Sequence, residues 1–114
     1  MNHAGAAFFF APVNLPDGAV ITELHYEYID NTATNYTQAE LTVSATDGYE
    51  SMALIQSTTP FISPAWQTGS DSTITRPEIN NLKYNYYVII RLYEPSGSNM
   101  KAARVLIKYK FDGP

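Results

Sequence analysis

The 114-residue chain predicts an all-β domain, an antiparallel β-sandwich or jelly roll of six to eight strands. Three observations lead to that class. Turn-forming clusters recur along the chain: "NLPDGA" at 14–19, "DNTATN" at 30–35, "TDGYE" at 46–50, a Pro/Ser/Gly stretch at 57–72, "RPEINN" at 76–81 and "EPSGSN" at 94–99. The residues between them favour Tyr, Thr, Val and Ile over Leu, Lys and Glu, the balance of a strand-rich protein. Several of those segments alternate apolar and polar side chains with the period of two that places one row on a core. The length suits a single domain over residues 1–114 that folds without a covalent staple.

Strands are expected near 6–12, 20–29, 38–46, 51–57, 72–76, 84–93 and 102–111. In "LPDGA", Pro16 fixes φ at the start of a turn and Gly18 accepts a positive φ, so the segments on either side meet at a corner. In "ITELHYEYID", Leu24, Tyr26 and Tyr28 point one way and Glu23, His25 and Glu27 the other. In "AELTVSA" the inward set is Leu41, Val43 and Ala45. In the last strand it is Ala103, Val105, Ile107, Tyr109 and Phe111, with Arg104, Lys108 and Lys110 opposite. An acidic row (Glu23, Glu27) and a basic row (Arg104, Lys108) would complement each other, within one sheet or between subunits. "MALI" at 52–55 and "KYNYYVIIRLYE" at 83–94 break the alternation. In the latter, Tyr84, Tyr86, Val88, Ile90 and Leu92 share one parity while Tyr87, Ile89 and Tyr93 hold the other, so both faces need cover. The first row is assigned to the core of a central strand, the second to a covering loop or a neighbouring subunit.

The net charge is −4, and it is unevenly spread: residues 1–75 hold eight acids and no Lys or Arg, while "KAARVLIKYK" alone carries four cations. An acidic body of this kind argues against nucleic acid as a partner, which demands a dominant basic patch. The run "AAFFFAPV" is too short to insert across a bilayer and lacks the cationic flank of a signal peptide. With no cysteine there is no disulfide, thiolate metal site or cysteine nucleophile.

The segments "APVNLPDGAVITELHYEYIDN" (11–31), "MALI" (52–55), "STITRPEINNLKYNYYVIIRLYE" (72–94) and "AARVLIKYKF" (102–111) resemble a group of uncharacterised exported bacterial domains. That group shares a Pro-Val-x-Leu-Pro-x-Gly-Ala segment, a Tyr-x-Asp-Asn strand end and a Tyr-rich penultimate strand. The resemblance spans about residues 8–111 and implies a secreted, β-rich domain, extracellular or on the cell surface, with no activity to carry over. Members of the group often have a further N-terminal segment and two cysteines; the sequence here has no cysteine.

The chemistry-bearing candidates are few. Glu23, His25 and Glu27 present carboxylate, imidazole and carboxylate along one strand face at steps of roughly 6.5–7 Å, too wide for one metal without help from another strand. A solvated face is therefore expected. Asp30, Asn31 and Asp47 lie in turns where Asp and Asn are ordinary, and neither turn has the alternating acids of a calcium loop. No Ser elbow, Cys–His pair or His-Glu-x-x-His occurs, so no catalytic residue, cofactor or metal ligand is assigned and the chain is expected not to be an enzyme. Residues 57–71 read as a long loop carrying Phe61 and Trp66, which could plug the sandwich end, anchor a subunit contact or stack on a sugar ring. The contact candidates are thus Phe61, Trp66, Tyr87, Ile89 and Tyr93. The function expected is that of a self-associating structural subunit, a trimer or larger homo-oligomer; the alternative is a carbohydrate-binding or lectin-like module.

Overall fold

A computed structural model describes residues 7–31, 36–46, 48–57, 63–93 and 100–112. Seven strands and no helix occupy them, so none of the described residues forms a helix able to cross a membrane. The strands are β1 (Ala7–Pro12), β2 (Val20–Asp30), β3 (Thr37–Ala45), β4 (Gly48–Gln56), β5 (Ser63–Asp71), β6 (Asn85–Leu92) and β7 (Met100–Lys110). They form a four-stranded sheet of order β1-β6-β3-β4 and a three-stranded sheet of order β5-β2-β7, with every strand pair antiparallel. The two sheets pack face to face as a β-sandwich. Only β3 and β4 form a hairpin within a sheet; every other connection carries the chain from one sheet to the other.

The inner rows supply the core. Leu24, Tyr26 and Tyr28 of β2 meet Ala39, Leu41 and Val43 of β3 and Tyr86 and Val88 of β6, with Ile79 and Ile21 closing one end. Burial of this apolar surface is the main stabilising contribution, at about 25 cal/mol per Å2. The first corner forms as its sequence requires: Ala19 N donates to Pro16 O at 3.0 Å and Gly18 takes φ +90°, a conformation a side chain would strain. Pro16 thus opens the turn, with Asp17 and Gly18 as its central residues.

One polar cluster crosses the interior. Thr37 Oγ1 donates to Arg91 O at 2.8 Å, so the Tyr26 hydroxyl, 2.6 Å away, is the donor to Thr37. Thr37 N donates to Ser57 Oγ, which donates to the buried Asp30 carboxylate. The chain satisfies these buried groups in one network that ties β2 to β3 and to the end of β4, where leaving one unmade would cost about 1–3 kcal/mol. Desolvation by burial pushes the Tyr26 phenol up to about 12, with the Thr37 hydrogen bond opposing and Tyr28 and Asp30 adding to it.

Three expectations are corrected. Residues 63–71 are not loop but strand β5, and 72–76 are not strand: Asp71 Oδ1 accepts from Thr73 N, and Arg76 sits at φ 53°. The side chain of Ile55 explains the glycine inside β5, because a Cβ on Gly69 would lie 2.5 Å from Ile55 Cγ2. Past Asp71, residues 77–79 take over beside β2, where Ile21 N donates to Pro77 O and Ile79 N to Ala19 O. In β7 a register shift opposite Glu27 and Tyr28 leaves Ala103 as the extra residue, so Ala102 rather than Ala103 faces inward, and Tyr109 and Phe111 are exposed. A like shift between Leu41 and Thr42 explains "MALI": Met52 is the extra residue, and both it and Ala53 are buried.

Candidate functional site

The sandwich has two outer faces, and side-chain parity places every contact candidate within the described residues on one of them. On the three-stranded sheet, the acidic and basic rows lie within one sheet and in register: Glu23 stands opposite Lys108 and Glu27 opposite Arg104. The closest N···O distances are 3.7 and 3.3 Å. His25 Nε2 lies 2.7 Å from Glu23 Oε2 without a hydrogen bond between them. Among the described residues no group of three His, Cys, Asp or Glu could hold a metal ion; Asp47 lies outside them. Asp30, a turn candidate by sequence, belongs to the buried cluster.

Trp66 belongs to β5 and is 52% exposed, on the same face as Thr68 and Ser70. A small hollow nearby, lined by His25, Glu27, Thr68, Arg104 and Leu106 among others, measures about 90 Å3, well below the roughly 300 Å3 at which small-molecule sites begin. Phe61 lies outside the described residues.

The outer face of the four-stranded sheet is built differently. β6 is central there, between β1 and β3. Its second row therefore meets β1 on one side, Tyr87 opposite Pro12 and Ile89 opposite Phe10, and β3 on the other, Tyr87 opposite Thr42 and Ile89 opposite Glu40. Flanked on both sides, Ile89 is only 6% exposed within a single chain. Tyr87 and Tyr93 are half-buried under rings of the same chain: Phe10 lies 6.5 Å from Tyr87, Phe8 6.1 Å and Tyr36 4.7 Å from Tyr93. Desolvation, and then the neighbouring Tyr36, push the Tyr93 phenol above its ordinary value. Beside this aromatic layer runs a polar stripe. Arg91 Nη1 pairs with Glu40 Oε1 at 2.9 Å and reaches Gln38 Oε1 at 3.3 Å, while Gln38 Nε2 donates to Gln56 Oε1 at 2.7 Å.

The sequence singled out neither of the two exposed aromatic positions of this face, Tyr49 of β4, 73% exposed opposite Ser44, and the phenylalanines of β1. Phe8, Phe9 and Phe10 are 53%, 54% and 66% exposed on β1, the edge strand of the sheet. Phe8 and Phe10 join the outer aromatic layer. Phe9 faces the opposite way, and among the described residues it is β6 rather than β1 that packs against β7 of the smaller sheet. Three consecutive rings on a strand cannot all face one core, and that is the signal "FFF" carried. Where β1 meets the start of β6 the surface dips into an open hollow of about 540 Å3, whose lining includes Phe10, Tyr84 and Tyr87 together with Asn14, Asn81 and Asn85.

No family model matches the chain, and no curated protein or solved structure matches it.

Proposed function

We propose that the chain is a non-enzymatic structural subunit, an exported β-sandwich that associates with copies of itself at a cell surface, outside the cell or in a virion-like particle. The observation that carries this reading is the aromatic layer formed by Phe8, Phe10, Tyr87 and Tyr93, which adjoins the exposed edge of β1. Exposed aromatic side chains set beside polar ones, here Arg91 opposite Phe8 with Glu40 and Gln38 next to it, are the composition of an association surface. Ile89 contributes as support from below, since it is already covered within one chain. Native mass measurement or light scattering at several concentrations tests the reading: mass should rise with concentration, and a strict monomer at several hundred micromolar removes it.

A second reading, a carbohydrate-binding module, draws support from the hollow at the β1–β6 corner rather than from Trp66. Flat aromatic faces beside amide side chains are suited to sugar rings and their hydroxyls. Binding on a glycan array that Tyr87→Ala abolishes would favour it; an array without signal counts against it.

A further inference from the structure

We infer that β1 pairs with β1 of a second copy, antiparallel about a two-fold axis at Phe9, so that two four-stranded sheets join into one of eight strands. This rests on the self-association proposed above and names its surface and register. Among the described residues the sheets end in four strands, β1, β4, β5 and β7, and the β4 edge is already met by Thr75 N at Met52 O and by Asp71 Oδ2 at Leu54 N. β4 carries Glu50, β5 carries Asp71, and β7 carries Lys101, Arg104, Lys108 and Lys110. Charged side chains are the usual device that keeps an open edge from pairing. β1, "AFFFAP", has no ionisable side chain, so two copies can approach without like charges meeting.

The edge is also self-complementary. Ala7 to Ala11 reads the same in both directions, so a two-fold axis through Phe9 sets Phe8 against Phe10 of the second copy, Phe9 against Phe9 and Ala7 against Ala11. An isologous interface requires that property. Hydrogen-bond parity agrees with the register. Val13 N donates to Tyr86 O, so the odd-numbered residues of β1 turn their main-chain groups to β6, and Phe8 and Phe10 turn theirs to the open edge. Phe8 and Phe10 are the two that this register sets opposite each other, and each such pair exchanges two N–H···O bonds. Pro12, which has no N–H to offer, falls at the end of the ladder.

The side chains add aromatic cross-strand pairs on both faces: Phe8 with Phe10 outside, and Phe9 with Phe9 on the inner side. At about 200 Å2 for a whole phenylalanine, the three rings leave roughly 350 Å2 open per copy. With the edge backbone, Ala11 and Pro12 of both copies the area available to bury is at most about 1,000 Å2, which places the pairing among small, reversible interfaces. The basic β7 edges, lying under β6, stay about three strand spacings or ~14 Å apart, beyond the ~8 Å screening length of physiological salt.

Because the chain has no cysteine, single-cysteine variants test the register directly. In this arrangement the two Phe9 Cα atoms lie about 4.5 Å apart, within disulfide reach, whereas Phe8 to Phe8 and Phe10 to Phe10 are about 8–9 Å apart and out of reach. Under mild oxidation Phe9→Cys should yield a covalent dimer. Phe8→Cys and Phe10→Cys should each stay uncrosslinked alone but form a heterodimer when mixed. Phe10→Lys should lower the concentration-dependent mass to that of a monomer while leaving the circular dichroism of the fold unchanged. If the unmodified protein associates but Phe9→Cys does not cross-link, or all three cysteines cross-link alike, the β1 register is wrong and self-association stands. If the unmodified protein is a monomer at several hundred micromolar, both fall.

Discussion

On the outer face of the three-stranded sheet, Glu23 and Glu27 of the central strand each stand opposite a cation of β7, whereas on the four-stranded sheet β6 lies under rings and, among the described residues, one ion pair. The difference follows from strand composition. β2 alternates acids and His25 with its core residues, so its outward row is soluble when the smaller sheet forms. β6 places Tyr87 and Ile89 outward, and these are covered only because β1 and β3 flank them. One face is finished by charge and water, the other by the chain's own aromatic side chains, and those side chains then become the new surface.

The sharpest way to break this comparison is to truncate the apolar residue that each outer face holds. Ile89→Ala should cost about 2–4 kcal/mol, because Ile89 is enclosed, whereas Leu106→Ala, at 44% exposure on the charged face, should cost less than about 1 kcal/mol. Urea titration of both variants compares them; equal losses would mean that the two faces are covered alike.

The polar cluster between the sheets gives a pH test. Tyr26 has a folded pKa of about 12 against 10.0 for the free side chain. The folded state favours the neutral phenol, so this contribution is complete below pH 10 and is lost as pH rises from 10 towards 12. The expected fall is about 2–3 kcal/mol across that window. Tyr26→Phe should be less stable at pH 8 by about 1 kcal/mol, for want of the bond to Thr37, but should show a smaller alkaline decline.

Two ion pairs sharpen the contrast at smaller magnitude. Arg91–Glu40 is largely covered, with side-chain exposures of 23% and 15%, and a double-mutant cycle should give a coupling of about 1–2 kcal/mol with weak salt dependence. Glu27–Arg104 is open at 35% and 61%, so its cycle should give about 0.2–0.5 kcal/mol, fading in 1 M salt. The exchange Glu27→Lys with Arg104→Glu should restore what each single change loses.

How much was legible depended on how local each signal was. The acidic and basic rows were readable because period-two alternation fixes which residues share a face, and the charges then select the neighbour. The central position of residues 85–92 was readable from apolar residues on both parities. β5 was not, because Pro64 and Gly69 are turn residues by composition. An edge strand tolerates a proline near its start, and Gly69 is there for the close approach of Ile55. The bulges that bury Met52 and expose Ala103 were equally hidden, since a one-residue shift depends on the partner strand's register. The Phe8–Phe10 surface was legible in part: three rings in a row cannot share one face, but that β1 would be an edge is a property of the sheet order.

By itself the sequence determined an antiparallel sandwich, the corner at Gly18, the faces of β2 and β3 and the complementary charge rows of β2 and β7, whose meeting within one sheet the structure decided. Each is set by dihedral preference or by alternation within a few residues. Only the tertiary structure decided which neighbour covers Ile89, that a Pro- and Gly-bearing stretch becomes β5, and that β1 lies at a sheet edge with its rings open. Cover is a relation between segments far apart in the chain, so it is fixed when the sheets assemble and not by the pattern of any one strand.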